Sequence, residues 1–203
     1  MKNIAIIQAR IGSTRLPYKM MLSLHGTPII EWVINRTKKS NLLDDIIVAI
    51  PISEDNDILE KYIKELGVKV FRGSENNVLN RFYESVKDKN ATHIIRICAD
   101  NPLIDGIEID NLINFYQNNS CDYAYNHIPK DNLYPDGLGA EMISFDLLKD
   151  LHASVTTQHH KEHCLSYIID NKDKFTIKTF NPKDKSLHYP ELKFDVDTFD
   201  DYH

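Results

Sequence analysis

The feature that most constrains this chain is an alternation. Short runs rich in β-branched residues, "NIAIIQA", "DIIVAIP", "VKVFRG" and "HIIRICAD", are separated by longer segments of helical period, "PIIEWVINRTKKS", "DNDILEKYIKELG" and "NNVLNRFYESVKDK". In two of these helices the apolar residues fall at i, i+1, i+4, i+5 and i+8: Ile58, Leu59, Tyr62, Ile63 and Leu66, then Val78, Leu79, Phe82, Tyr83 and Val86. Each such stripe covers one face of a sheet. Strands apolar on both faces, as in "IIVAI", belong inside a parallel sheet covered by helices, and in such sheets ligands sit beyond the C-terminal strand ends. Thr27 before Pro28 predicts a helix start, and Gly67 a C-terminal cap.

From about Gly106 the pattern loosens. A helix around Ile109, Leu112, Ile113 and Tyr116 precedes a short strand near "DYAYN" and a turn-rich stretch "PKDNLYPDGLG". "AEMIS", two more helices and terminal strands at "FTIKTF" and "LKFDVD" complete the series. The expected fold is a three-layer α/β/α arrangement on a mostly parallel, mixed sheet. With 203 residues and no linker-like or repeated segment, one domain spanning 1–203 is expected.

A net charge of −6 argues against a general nucleic-acid or anionic-membrane binder, although a local group of cations can still hold a compact anion. Cys98, Cys121 and Cys164 are neither paired nor clustered, so neither a disulfide framework nor a cysteine zinc site is suggested. With no leader-like N-terminus and no apolar stretch approaching about twenty residues, a cytoplasmic protein that neither spans nor binds membranes is expected.

The first strand runs into "QARIGSTRLPYK". Arg10, Arg15 and Lys19 can together neutralise much of a triphosphate, Gly12 can take up positive φ and bring amides close, and Ser13 and Thr14 can donate to phosphate oxygens. A solvated, charge-rich turn is the competing reading, but so many donors at a strand's C-terminal end favour phosphate. Neither the Walker pattern nor the G-x-G-x-x-G fingerprint is present, since Gly12 is the only glycine of the loop. Asp100, after "HIIRICA", and Asp197, after "LKFDV", each place a carboxylate at an expected strand end, where a hard cation can be shared with phosphate oxygens. Asp195 competes for the second position.

The loop "QARIGSTRLPYK" resembles the nucleotide loop of the cytidylyltransferases, in the branch of the spore coat polysaccharide biosynthesis protein F family. The 3-deoxy-manno-octulosonate and acylneuraminate cytidylyltransferases are more distant relatives. Similar segments follow in family order: "VFRGSENNVLNRF", "RICADNPLID", "DYAYN", "PDGLGAEMIS", "KEHCLSYI" and "FDVDTFDD". The resemblance implies a nucleotide-diphospho-sugar transferase-like fold and transfer of CMP from CTP to a sugar or sugar-acid acceptor, with release of pyrophosphate, for surface polysaccharide or glycan synthesis. It implies a nucleotide-binding half of about 1–105 and an acceptor-binding half of about 106–203.

Residue by residue, the resemblance places Gln8, Ala9, Arg10, Gly12, Ser13, Thr14, Arg15 and Lys19 against the nucleotide, with Arg72, Ser74 and Arg81 lining its pocket. Arg10, Arg15, Lys19 and Asp100 carry catalysis, and Asp100 and Asp197 match the family's Mg²⁺ ligands. Asn126, Glu141, Glu162 and His163 match polar positions on the acceptor side. Expected partners are CTP and a small sugar-like acceptor, with no nucleic acid or membrane, and pairing into a homodimer is allowed. A nucleotide-binding regulatory or assembly protein without turnover is the alternative.

"HHKEH" also satisfies the inverted zinc-protease pattern through His159, Glu162 and His163, which makes a zinc hydrolase a minor alternative. Such a site needs a further ligand, and only forty residues follow, with Glu191 as their one glutamate. The family segment accounts for Glu162 and His163 without zinc and leaves His159 and His160 as exposed histidines at a helix start. Two departures from the family stand out: Tyr18, where glycine is frequent, expected to narrow the triphosphate entry, and Asn101, where cysteine is common. The sequence stops at His203, where a further helix is expected.

Overall fold

The computed structural model describes residues 1–203. The chain runs β1 (Asn3–Gln8), a two-strand hairpin of β2 (Ser23–Leu24) and β3 (Thr27–Pro28), then α1 (Ile29–Thr37), β4 (Asp45–Pro51), α2 (Asp57–Glu65), β5 (Lys69–Gly73), α3 (Val78–Val86) and β6 (His93–Cys98). It continues through α4 (Gly106–Asn118), β7 (Tyr123–Tyr125), β8 (Glu141–Ser144), α5 (Phe145–Ser154), α6 (Gln158–Glu162), α7 (Ser166–Asp170), β9 (Ile177–Thr179) and α8 (Phe199–Tyr202). No helix is long and apolar enough to cross a membrane.

Seven strands form one sheet in the order β5-β4-β1-β6-β8-β7-β9, and only β8 runs against the rest. The mixed, mostly parallel sheet expected from the sequence is therefore present. Period-two alternation divides its side chains between two layers. Ala5 and Ile7 of β1, Val48 and Ile50 of β4, and Ile95 and Ile97 of β6 face a core closed by Ile29, Ile30, Val33 and Ile34 of α1, Leu59 and Ile63 of α2, and Ile109, Leu112 and Ile113 of α4. Ile4, Ile6, Ile47, Ala49 and Ile94 face the opposite core, closed by Val78, Leu79, Phe82 and Val86 of α3, Leu148 and Leu151 of α5, and Ile168 of α7. Each fully buried aliphatic side chain stabilises the fold by about 1.5–3 kcal/mol, so the two layers fix the strand register that positions everything at the sheet's edge.

The chain leaves β1 toward β4 and β5 and then returns to place β6 on the other side of β1. That reversal opens a crevice past the C-terminal ends of β1 and β6, where α/β sheets receive ligands. Gln8 and Cys98 are paired there, so the segments that follow both strands emerge side by side.

Two boundaries differ from expectation. Thr27 and Pro28 belong to the small hairpin, and α1 begins at Ile29 without a side-chain cap, because pairing with Ser23 and Leu24 uses the Thr27 backbone instead. "LKFDVD" is not a strand: it pairs through a single bridge of Asp136 with Lys193, and Val196 N donates to Asp100 O at 2.8 Å. Asp197 is thus delivered by a stapled extended segment and not by a strand end. Gly67 does end α2 as expected, with φ of 71° and its amide bonded to Lys64 O.

Candidate functional site

The segment after β1 is held as a rigid arch by apolar and polar anchors. Ile11, Leu16 and Met20 are buried in the core, the buried Asn56 accepts the Ile11 amide at 3.0 Å, and Ser13 Oγ accepts the Leu16 amide at 3.2 Å. These anchors leave Arg10, Gly12, Thr14 and Arg15 exposed along its outer side. Gly12 does not use the left-handed region, and a Cβ there would meet nothing within 4 Å. The left-handed turn of the arch is made by Tyr18, φ 55°, whose ring is exposed and does not line the cleft. The expectations that Gly12 supplies positive φ and that Tyr18 narrows the entry are both corrected.

Lys19 is carried inward by the short helical turn that starts there, and its side chain is nine-tenths buried. Its ammonium lies 3.1 Å from Asp100 Oδ2 and 3.1 Å from Asp197 Oδ1, and Arg15 reaches the same Asp197 oxygen at 2.9 Å. Residues 178 positions apart thus converge, because the Val196 amide clamps the last segment onto the backbone of Asp100. Asp195 stands apart from this group: one oxygen pairs with Lys193 at 3.4 Å and the other is buried without a partner. The second oxygens of Asp100 and Asp197 take no hydrogen bond from the protein. Two carboxylates with free hard-oxygen donors, facing an arch of anion-binding groups, fit a divalent cation of the Mg²⁺ type.

Gln8, Ala9, Arg10, Ser13, Thr14, Arg15, Lys19, Arg81, Asp100 and Asp197 all line one cleft of 310 Å³. Arg81 is only 1 % exposed: one guanidinium nitrogen donates to Ser74 O at 2.6 Å, and Nε is buried without a partner. Burial, with a contribution from nearby Arg10, lowers its guanidinium to about 10, still a cation at neutral pH. A buried cation with spare donors on a cleft wall is poised for an anion or a base carbonyl. Cys98 also lines the cleft, but burial pushes its thiol up to about 12, which removes it as a nucleophile.

Three expected residues lie elsewhere. Arg72 does not line the cleft: its guanidinium donates to Asp57, Glu60 and the carbonyls of Ile52 and Ser53, tying β5 to α2. Ser74 caps a turn by accepting the Asn77 amide. Asn126 is fully buried, donates to Glu108 O and accepts the Ala140 amide, and sits so close to Gly139 that a Cβ there would clash with its Oδ1. It locks the β7–β8 connection and has no surface to offer a substrate.

A second cavity of 660 Å³ adjoins the first, and the two share Gln8, Arg96, Glu162 and His163 as a common wall. Its floor carries Glu141, bound by Arg96 at 2.5 Å, with His127 Nε2 3.0 Å from the same oxygen and Arg96 Nε donating to Gln8 at 3.2 Å. Burial would raise the Glu141 carboxyl, but Arg96 and His127 outweigh it and hold it at about 2. Lys130, Lys172 and Lys178 line the same cavity, together with Tyr123, Tyr125 and Phe175. Of the expected acceptor residues, Glu141, Glu162 and His163 therefore come together. Arg96 and His127 escaped sequence reasoning. The signal was an arginine inside "HIIRIC", a strand apolar on both faces, where a charge has to be paired.

The model of the family described as "Cytidylyltransferase" matches residues 4–178. An uncharacterised protein of Methanocaldococcus jannaschii is 37% identical over 202 residues, covering 100% of this chain and 81% of its own length. Spore coat polysaccharide biosynthesis protein SpsF of Bacillus subtilis is 30% identical over 202 residues, covering 97% of this chain and 82% of its own. The solved structure of a cytidylyltransferase from Leptospira borgpetersenii superposes with a TM-score of 0.88 at 30% identity, over 100% of this chain and 84% of that one.

Proposed function

The chain belongs to the cytidylyltransferase family of CTP-dependent nucleotidyltransferases, and on that premise we propose that it transfers CMP to a sugar-acid acceptor used in surface polysaccharide or glycan synthesis. The observation that carries the reading is the pair of adjoining cavities, one lined by Arg10, Arg15, Lys19 and Arg81, the other floored by the Arg96–Glu141–His127 network. The first suits a triphosphate and the second a polyhydroxylated acid. Their shared wall is where the two reacting groups meet.

The acceptor oxygen bonds to the α-phosphorus of CTP while the bond from that phosphorus to the pyrophosphate oxygen breaks. Positioning and charge neutralisation supply most of the acceleration in transfers of this kind. Arg10, Arg15 and Lys19 bind the phosphates and absorb the charge that accumulates on departing pyrophosphate. Asp100 and Asp197 would hold Mg²⁺, which when bound supplies Lewis-acid polarisation of the phosphate oxygens. The attacking hydroxyl has to lose a proton, and Glu162 and His163 are the proton acceptors on the common wall. The lysines of the larger cavity attract an acidic acceptor.

Thermal shift with CTP, UTP, GTP and ATP in the presence of MgCl₂ tests the nucleotide. A ligand at about 100 times its Kd stabilises by about 2.7 kcal/mol, a shift of several degrees for a chain of this size. CTP is expected to exceed the other three, and a panel of 2-keto sugar acids is expected to contain one that releases pyrophosphate. Equal shifts for all four nucleotides, with no release from any acidic sugar, would defeat the proposal.

A further inference from the structure

Away from the cleft, α6 and α7 bring three metal-ligating side chains together. Neighbouring residues on a helix point about 100° apart and do not normally face one target. Yet His159 Nε2 and His160 Nδ1 each lie 3.7 Å from the same oxygen, Asp170 Oδ2, at the end of the next helix. The ligand atoms of His159, His160 and Asp170 all fall within 4.8 Å of one another. Tyr167 packs edge-on against the His160 ring and the His163 ring lies tilted, 4.9 Å from that of His159, which sets both rings, while Ser166 Oγ, 2.9 Å from His160 Nδ1, occupies that nitrogen until an ion displaces it.

A contact of 3.7 Å is too long for a hydrogen bond, which needs about 2.7–3.2 Å. It is close to the ligand–ligand edge, roughly 3.4 Å, of a tetrahedron with metal bonds of about 2.0–2.1 Å. Two imidazoles and a carboxylate are the donor set of Zn²⁺ and its first-row neighbours, not of Mg²⁺ or Ca²⁺. The cluster also differs from the protease pattern seen in the sequence. Asp170 takes the place that pattern gives to His163, while Glu162 and His163 turn to the cleft wall, so no protease-type base faces these ligands.

We propose that His159, His160 and Asp170 form a site for a single Zn²⁺-class ion, separate from the Asp100–Asp197 pair. An ion there ties α6 to α7, and the turn between them, residues 163 to 165, begins with His163 just after Glu162. Occupancy therefore stiffens the wall common to both cavities, which makes the site a regulator of acceptor handling and not a reaction centre. The proposal stands on its own geometry and does not depend on the nature of the acceptor.

The test uses the full chain without a histidine tag, stripped of metal and held in excess MgCl₂ so that hard-oxygen sites are filled. Calorimetric titration with ZnCl₂ is expected to show one ion per chain, and CoCl₂ to give the visible d–d bands of a low-coordinate nitrogen/oxygen site. His159→Ala and Asp170→Asn, both at exposed positions, should each weaken binding at least tenfold and abolish the bands, while Asp100→Asn leaves both unchanged. Amide exchange over 158–170 should slow with Zn²⁺ in the wild type and not in Asp170→Asn. No Zn²⁺ uptake in excess MgCl₂, or uptake unaffected by His159→Ala and Asp170→Asn, overturns the site; bound Zn²⁺ with unchanged exchange overturns the stiffening.

Discussion

The two cavities that meet at Gln8 and Arg96 are built in opposite ways. The smaller takes the largest single share of its lining from one continuous arch, residues 8 to 20, with further groups from α3 and the turn before it, the end of β6, Glu162, His163 and Asp197. The larger is gathered from β6, β7, β8, the 127–131 turn, α6, α7 and β9, with no more than a few neighbouring residues from any of them. Charge follows the same division. In the arch, Arg10 forms no ion pair and Lys19 is shared by two carboxylates, so the cations are held by contacts that an arriving anion can replace. In the larger cavity Arg96 and Glu141 neutralise each other on the floor as part of the architecture. One side is a binding device mounted on the fold; the other is partly the fold itself.

If that contrast is right, substitutions on the two sides fail differently. The largest effect is expected for Asp100→Asn, which should lower turnover by about two to three orders of magnitude while the melting temperature stays near wild type, because the charge acts on the reaction and not on packing. Pyrophosphate-release kinetics beside a thermal melt would reveal a structural role if both fell together.

Glu141→Gln should do the reverse first. Leaving Arg96 and His127 without their counter-charge is expected to cost about 3 kcal/mol of stability near neutral pH. Because the folded carboxyl sits at about 2, below its ordinary 4.5, its contribution is complete above pH 4.5 and is lost as pH falls toward 2. Urea unfolding should therefore show the wild-type advantage shrinking across that window. A gap that stays constant with pH would mean that Glu141 stabilises through packing alone.

Arg72→Ala sharpens the boundary of the arch. It should remove roughly 1–3 kcal/mol by freeing Asp57, Glu60 and two carbonyls, yet leave the CTP Michaelis constant unchanged. The smallest effect is expected for Tyr18→Gly. Relief of the left-handed strain, less the greater freedom glycine gives the unfolded chain, should raise stability by about 1 kcal/mol or less, a few degrees in a melt, without altering turnover.

The same contrast decides what could be read from the residues alone. The arch was legible because its cations and hydroxyls are neighbours in sequence at a strand's end, and the strands and helices on either side repeat with periods that survive any tertiary context. Arg96 and His127 were not, because what matters is the carboxylate of Glu141, which comes from a strand running the opposite way and more than forty residues downstream of Arg96. Arg72 and Ser74 were misplaced for a related reason: a strand-to-helix turn can point its polar groups at a ligand or at its own helix, and only packing decides. Asp197 is brought beside Asp100 by an unforeseen route, through the backbone bond from Val196 to Asp100.

Lys19 gives the resting enzyme an internal counter-ion. A ligand that brings only negative charge can reach Arg10 and Arg81 freely, but to engage Lys19 it has to pull that ammonium away and leave two carboxylates facing each other, so at that position bare phosphate or pyrophosphate competes against the protein's own acids. A visitor arriving already matched with positive charge meets no such resistance, and the cleft thereby screens its callers before any base or sugar is inspected.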